Sequence, residues 1–234
     1  MVRRAHKRAK SGKDFKRRPA SRKERARVLI VTECAKIEPD YFTRLIRELG
    51  LTTAMVRVAG DGGSAPISVV EHAQNLLQRD PDIEEVYLVF DRDRHASYDE
   101  AIAIAQGLGR HKAHRSRKLA VVPSVPCFEI WYLFHVSDSR KPYEAAATGS
   151  SPAATLIEDL KKAHEIFAQY KKAGCEDYYQ QLCGERETAK KRAQTALNDA
   201  KDEGQKKFHE NPSTRVHRLV DRLEVISREQ KENG

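Results

Sequence analysis

Hydrophobic residues along this chain alternate between short solid runs and spaced sets. Residues 28–32 and 85–90 read as strands built on solid apolar runs, 28–31 and 86–90, the pattern of strands buried on both faces. Residues 53–58 and 119–122 read as two more strands, the last ending before Pro123. Between the first two strands, Phe42, Leu45, Ile46 and Leu49 recur at helical spacing, with Pro39 in the first turn and Gly50 just past the end. After the Asp61-Gly62-Gly63-Ser64 turn, Pro66 to Gln78 repeats the pattern through Ile67, Val70, Ala73, Leu76 and Leu77, and residues 98–108 predict a third helix. The order β-α-β-α-β-α-β predicts an α/β fold: a mostly parallel, four-stranded sheet with helices on both faces. From Cys127 onward no strand is expected. Phe128, Trp131, Tyr132 and His135 keep helical spacing, and residues 153–172, 186–202 and 213–228 read as helices, the last capped by Ser213 or Thr214. No internal repeat is present. The expected organisation is a flexible tail over residues 1–27, an α/β core over 28–136 and a helical extension over 137–234 packing on that core.

Charge sharpens this division. The formal net charge is +9, yet residues 1–27 hold thirteen Lys and Arg against Asp14 and Glu24, while the rest of the chain holds thirty bases against thirty-two acids. A tail so poor in apolar residues cannot offset the entropy of ordering, so it is expected to be disordered on its own. Its Arg17, Arg18, Lys23, Arg25 and Arg27 are candidates for neutralising nucleic-acid phosphates, in competition with a purely solubilising role. No stretch resembles a signal peptide or approaches the roughly 18 apolar residues of a membrane span, so a cytoplasmic location without membrane association is expected. Cys34, Cys127, Cys175 and Cys183 show no CxxC spacing and read as reduced thiols.

The candidate chemistry lies where two strands end. Residues 28–32 run into Glu33, and residues 85–90 into Asp91-Arg92-Asp93. Functional groups of open parallel sheets gather at the carboxyl ends of strands, so Glu33, Asp91 and Asp93 are expected to converge and hold Mg²⁺ or Mn²⁺. An ion held by few protein oxygens keeps positions open for phosphate chemistry. An Asp-x-Asp run alone is equally a solvated loop, and Glu33 is what favours the metal. Glu129, at a helix start after the fourth strand, is either a further ligand or general base or an acid favoured by the helix dipole. Lys36 suits a phosphate contact, or else pairs with Glu38 or Asp40. His95, two residues after Asp93, can act as an acid or base near a substrate or simply face solvent. His111 and His114 suggest phosphate contact, His217 helix packing, and the basic residues of 186–207 are balanced by acids, as on a solvated exterior.

Glu33 and Asp91-x-Asp93 resemble the acidic pattern of Toprim domains. A closer resemblance is to the RloB-like family of prokaryotic defence proteins. It is carried by the basic tail, Ile30-Val31-Thr32-Glu33-Cys34-Ala35-Lys36-Ile37-Glu38-Pro39-Asp40-Tyr41-Phe42, Val89-Phe90-Asp91-Arg92-Asp93, Pro126-Cys127-Phe128-Glu129-Ile130-Trp131-Tyr132-Leu133 and Asn211-Pro212-Ser213-Thr214 with Val216 and His217. Cys34 departs from the glycine common in the family, which raises the question of the loop's backbone geometry. The resemblance implies a Toprim-like, Mg²⁺-dependent nuclease acting on tRNA or another nucleic acid in antiphage defence, with an ATPase partner; RNA versus DNA, and any homo-oligomer, stay open. In that reading Glu33, Asp91 and Asp93 hold the metal, Glu129 assists, and Lys36 and His95 meet the nucleic acid. The competing reading is a non-catalytic nucleic-acid- or partner-binding module with a degenerate site. A primase- or topoisomerase-like enzyme is disfavoured, since no separate domain for such chemistry is evident, and a phosphatase for a small nucleotide is a further alternative.

Overall fold

A computed structural model describes residues 27–53, 55–60, 63, 65–145, 149–171 and 178–232. Five strands, β1 (Val28–Thr32), β2 (Val56–Ala59), β3 (Glu85–Asp91), β4 (Lys118–Val125) and β5 (Ser213–Thr214), form one sheet in the order β2-β1-β3-β4-β5. The first four run parallel and β5 is antiparallel to β4. The helices are α1 (Ile37–Glu48), α2 (Pro66–Arg79), α3 (Tyr98–Arg110), α4 (Glu129–Val136), α5 (Pro152–Ala163), α6 (Tyr178–Leu182), α7 (Arg186–Asp202) and α8 (Val216–Glu232).

Side chains alternate across the sheet and divide the core in two. Val28, Ile30, Tyr87, Val89 and Val122 face one cluster, which takes in α1 and the helices after β4. Leu29, Val31, Val86, Leu88 and Phe90 face the other, built on α2 and α3. The helices beyond residue 137 share the first cluster with the sheet, through Leu156, Ala193, Leu219 and Leu223. The first cluster also gathers most of the aromatic residues: Tyr41 meets Phe128, Trp131 and Tyr179 edge-on, with ring centroids 5.8, 6.2 and 5.3 Å away.

The sheet corrects the expectation of four strands. It is five-stranded and mixed, because Ser213 and Thr214, expected to open a helix, pair instead with Val125 and Ser124. The Ser124 and Thr214 hydroxyls meet at 2.9 Å, and Thr214 Oγ1 also accepts the Val216 amide at the start of α8, so this threonine both ends the sheet and caps the helix. β4 also continues through Pro123. Pro123 directs its carbonyl away from β3, to the Arg215 amide at 3.1 Å, so its missing N–H costs the ladder to β3 nothing. The long helix expected over 153–172 stops at Ala163, and residues Glu165–Phe167 form a separate 3-10 turn.

Candidate metal centre and basic groove

The chain moves from β1 to β2 on one side and then crosses to β3 on the other, so the switch in strand order falls between β1 and β3, where the carboxyl ends leave a crevice. Glu33 and Asp91 stand there. Glu33 extends the ladder one residue, its amide donating to the Val89 carbonyl at 3.1 Å. Its carboxylate accepts the Asp91 amide at 2.9 Å and meets His95 Nε2 at 3.0 Å. Glu33 thus braces the end of β3, and His95 is engaged with it.

The carboxylate of Asp91 faces the start of α4. One ligand atom from each of Asp91, Cys127 and Glu129 lies within 4.8 Å of the others, and all three residues are buried. β4 ends at Val125, two residues before Cys127, and Glu129 opens α4, so the strand-to-helix junction delivers thiol and carboxylate together opposite Asp91. The Tyr170 hydroxyl donates to Glu129 Oε1 at 2.9 Å. Burial, reinforced by the Glu129 charge, pushes the Tyr170 phenol far above its ordinary range and keeps it a neutral donor.

Asp93 takes a different course from the expected one. Its φ is +24°, a conformation that aspartate tolerates better than most residues, and its carboxylate accepts the Ala153 amide at 3.4 Å in the first turn of α5. Neither Asp93 nor Glu33 belongs to the 4.8 Å cluster, whereas Glu129, expected as an assisting residue, does. Cys127 was not anticipated as a ligand; its place two residues before Glu129 was the available signal.

The loop carrying Cys34 needs no glycine. Among the described residues, only Asp93 and Phe208 have positive φ without being glycine. The Cys34 thiol donates to the Glu38 carboxylate and accepts the Ile37 amide at 3.2 Å, thereby closing the start of α1. Burial, then the Glu38 charge, raises this thiol to about 12, so it stays protonated. Gly60 makes the close approach here: a Cβ on it would lie 2.7 Å from Pro39 Cγ.

Beside the acids opens a groove of about 440 Å³ in which Lys36, Arg44 and Lys171 stand with Tyr132, Tyr170 and Tyr178. Lys36 makes no ion pair among the described residues; Asp40 pairs instead with Arg44 at 2.9 Å, and Glu38 holds Cys34. Tyr170 belongs both to the groove and to the Glu129 hydrogen bond, which joins the two features.

Arg17, Arg18, Lys23 and Arg25 lie outside the described residues. Arg27 is held at 2.9 Å by both Asp80 and Asp82, at the amino end of β1 and away from the acids. Of the bases of α7, Arg186 is paired with Glu48 and Glu224, Lys190 with Glu187, Asp221 and Glu224, and Arg192 donates to the Phe134 and His135 carbonyls. His217 contacts Gln194 of α7 at 3.2 Å, and His114 Nδ1 lies 2.7 Å from Arg117. Cys34, Cys127 and Cys183 are free thiols. No described helix is long and apolar enough to cross a membrane.

No curated protein and no solved structure gave a match. The family model of RloB-like proteins matches residues 28–223, from the first strand to α8 and across every element that builds the acidic cluster, and the chain belongs to the RloB-like family.

Proposed function

We propose that this chain hydrolyses phosphodiester bonds of a nucleic acid, tRNA or another polynucleotide, at the Asp91–Glu129 cluster with the aid of a divalent cation. The observation that carries this reading is the approach of Asp91, Cys127 and Glu129 to within 4.8 Å, beside a groove lined by lysine, arginine and tyrosine. The donor set fits a divalent cation: two carboxylates suit Mg²⁺ or Mn²⁺, and the Cys127 thiol shifts preference from Mg²⁺ toward Mn²⁺. Such an ion polarises a phosphoryl oxygen and lowers the pKa of bound water. Asp91 and Glu129 would hold it, with Tyr170 orienting Glu129 and Glu33 fixing the end of β3, and Lys36 would receive phosphate in the groove. Acids after β1 and β3 of a largely parallel sheet support a Toprim-like origin. Membership of the RloB-like family supports an antiphage role with an ATPase partner.

The engagement of Asp93 with the Ala153 amide, apart from the cluster, favours a second reading, a binding module that has lost a metal carboxylate. One experiment separates the two. Purified protein is incubated with tRNA, single-stranded DNA or duplex DNA in Mg²⁺ or Mn²⁺, beside Asp91→Ala and Glu129→Gln variants shown to be folded by circular dichroism. Cleavage by the parent, stronger in Mn²⁺ and lost by at least a hundredfold in both variants, supports the nuclease. Binding without cleavage, unchanged by either substitution even with the ATPase partner added, supports the module and sinks the nuclease reading.

A further inference from the structure

Strand β4 is covered on only part of its outer side. β5 pairs with Ser124 and Val125, and Pro123 is taken by Arg215, whereas along Leu119–Val122 no described strand lies opposite β3. Lys118 and Ser124 direct backbone groups to the β3 side, at Glu84 and Arg92. By the alternation of a strand, Leu119 and Val121 therefore present their N–H and C=O groups outward, and no described residue bonds to them.

This edge lies in a groove of about 760 Å³ between α3 and α8, with Leu119, Val121 and Leu219 among its apolar lining. Six cations line it, Arg110, Arg117, Lys118, Lys207, Arg215 and Arg218, and no acid does. Two have other work: Arg117 donates to the carbonyls of Pro81, Ile83 and Ala113, and Lys118 pairs with Glu85 at 3.5 Å. Arg110, Lys207 and Arg218 have no ion pair among the described residues, and Arg110 and Arg218 are exposed. Arg215 is 5% exposed; its Nη2 donates to Glu210 at 2.8 Å while Nη1 has no hydrogen-bond partner. Burial, then the charge of Arg215, lowers the pKa of Arg218, and the nearby Glu210 only partly offsets this.

A second copy of this edge is a poor occupant, because two cationic edges repel. Stacked nucleobases are also poorly served: Lys207 and Arg215 stand 4.9 and 4.5 Å from the Phe208 ring centre, and Lys118 stands 5.5 Å from that of Tyr87. We infer that the open edge of β4 accepts an acidic, extended segment of a partner protein, which adds beside Leu119–Val122 as a further strand in line with β5 and sets its carboxylates on Arg110, Lys207 and Arg218. Backbone pairing supplies the attachment and the cations select the acidic sequence. Four residues at about 3.3 Å each span roughly 13 Å, so a short motif fills the site.

The probe is a fluorescent octapeptide of alternating Glu and Val, measured by anisotropy with the full chain. The comparisons are the same peptide N-methylated at alternate amides, an eight-nucleotide DNA single strand, and an Arg110→Glu/Arg218→Glu variant that keeps every other basic residue. The expected result is binding by the parent, a loss of tenfold or more in the variant, a similar loss on methylation, and slower hydrogen exchange at the Leu119 and Val121 amides with peptide bound. Failure of the peptide to bind, equal binding by the variant, or equal binding of the methylated peptide overturns the proposal. So does tighter binding of the oligonucleotide with the same dependence on Arg110 and Arg218. None of these outcomes depends on cleavage, so the nuclease reading stands or falls separately.

Discussion

At the residue scale, Asp91 and Asp93 are two positions apart yet serve different neighbours: Asp91 faces Cys127 and Glu129, and Asp93 accepts an amide from the first turn of α5. Their substitutions should therefore separate. Asp93→Ala removes one long hydrogen bond to an amide of α5, a helix capped by Ser151, and is expected to lower unfolding free energy by about 0.5–1 kcal/mol, read by urea titration. Asp91→Ala removes a carboxylate of the proposed metal site, so loss of the proposed cleavage with the fold retained is the expected result, read by a cleavage assay beside circular dichroism. Tyr170→Phe keeps the ring in its cluster and deletes only the donor to Glu129, so cleavage should fall with no loss of fold and with altered dependence on Mn²⁺ concentration. The strand-end acids were legible in the sequence because apolar runs stop so abruptly at Glu33 and Asp91. The fate of Asp93 was not, since it depends on α5, sixty residues later. Cys127 was hidden for a related reason: its thiol meets the acids only once the junction between β4 and α4 has turned.

At the element scale, the parallel strands and their helices could be read because burial on both faces forces continuous apolar runs. β5 could not, as its two residues are polar and their pairing rests on a hydroxyl contact with Ser124, ninety positions earlier. Long-range ties of this kind also fix the helices. Glu85, at the start of β3, receives the Arg222 guanidinium of α8 with both oxygens, and the Tyr87 hydroxyl at 2.6 Å. Burial opposes the charged carboxylate, but these donors outweigh it and hold Glu85 below the usual range. Arg222→Ala is expected to cost about 2 kcal/mol, less than the ~3–5 of a fully buried pair because 23% of the Arg222 side chain remains exposed. Gly60→Ala should cost about 1–3 kcal/mol by forcing Pro39 and the start of α1 outward. Thermal unfolding of the two variants checks both figures.

At the scale of the whole molecule, two buried histidines make stability depend on pH. His135 and His217 are each 2% exposed, and burial lowers both to about 4 from an ordinary 6.5. The folded value lies below the unfolded one, so this contribution is complete above pH 6.5 and is lost as pH falls toward 4, where the unfolded imidazoles take protons that the folded ones refuse. Each unit of separation corresponds to about 1.4 kcal/mol, so the parent should lose several kcal/mol more between pH 7 and 4.5 than a His135→Gln/His217→Gln variant does. Equal pH dependence in the two proteins would refute it. The late position of the last strand has a bearing on synthesis. β1, β3, β4 and the start of α4 leave the ribosome early, bringing Glu33, Asp91 and Glu129, yet the residue that bonds Glu129 and the strand that finishes the sheet follow later. A nascent chain halted before residue 213 has no β5 to close β4 and no α8 to cover the sheet. The three cluster residues thus emerge well before the elements that enclose them, and the surroundings of the cluster are completed only once residues 170 and 213–232 have followed.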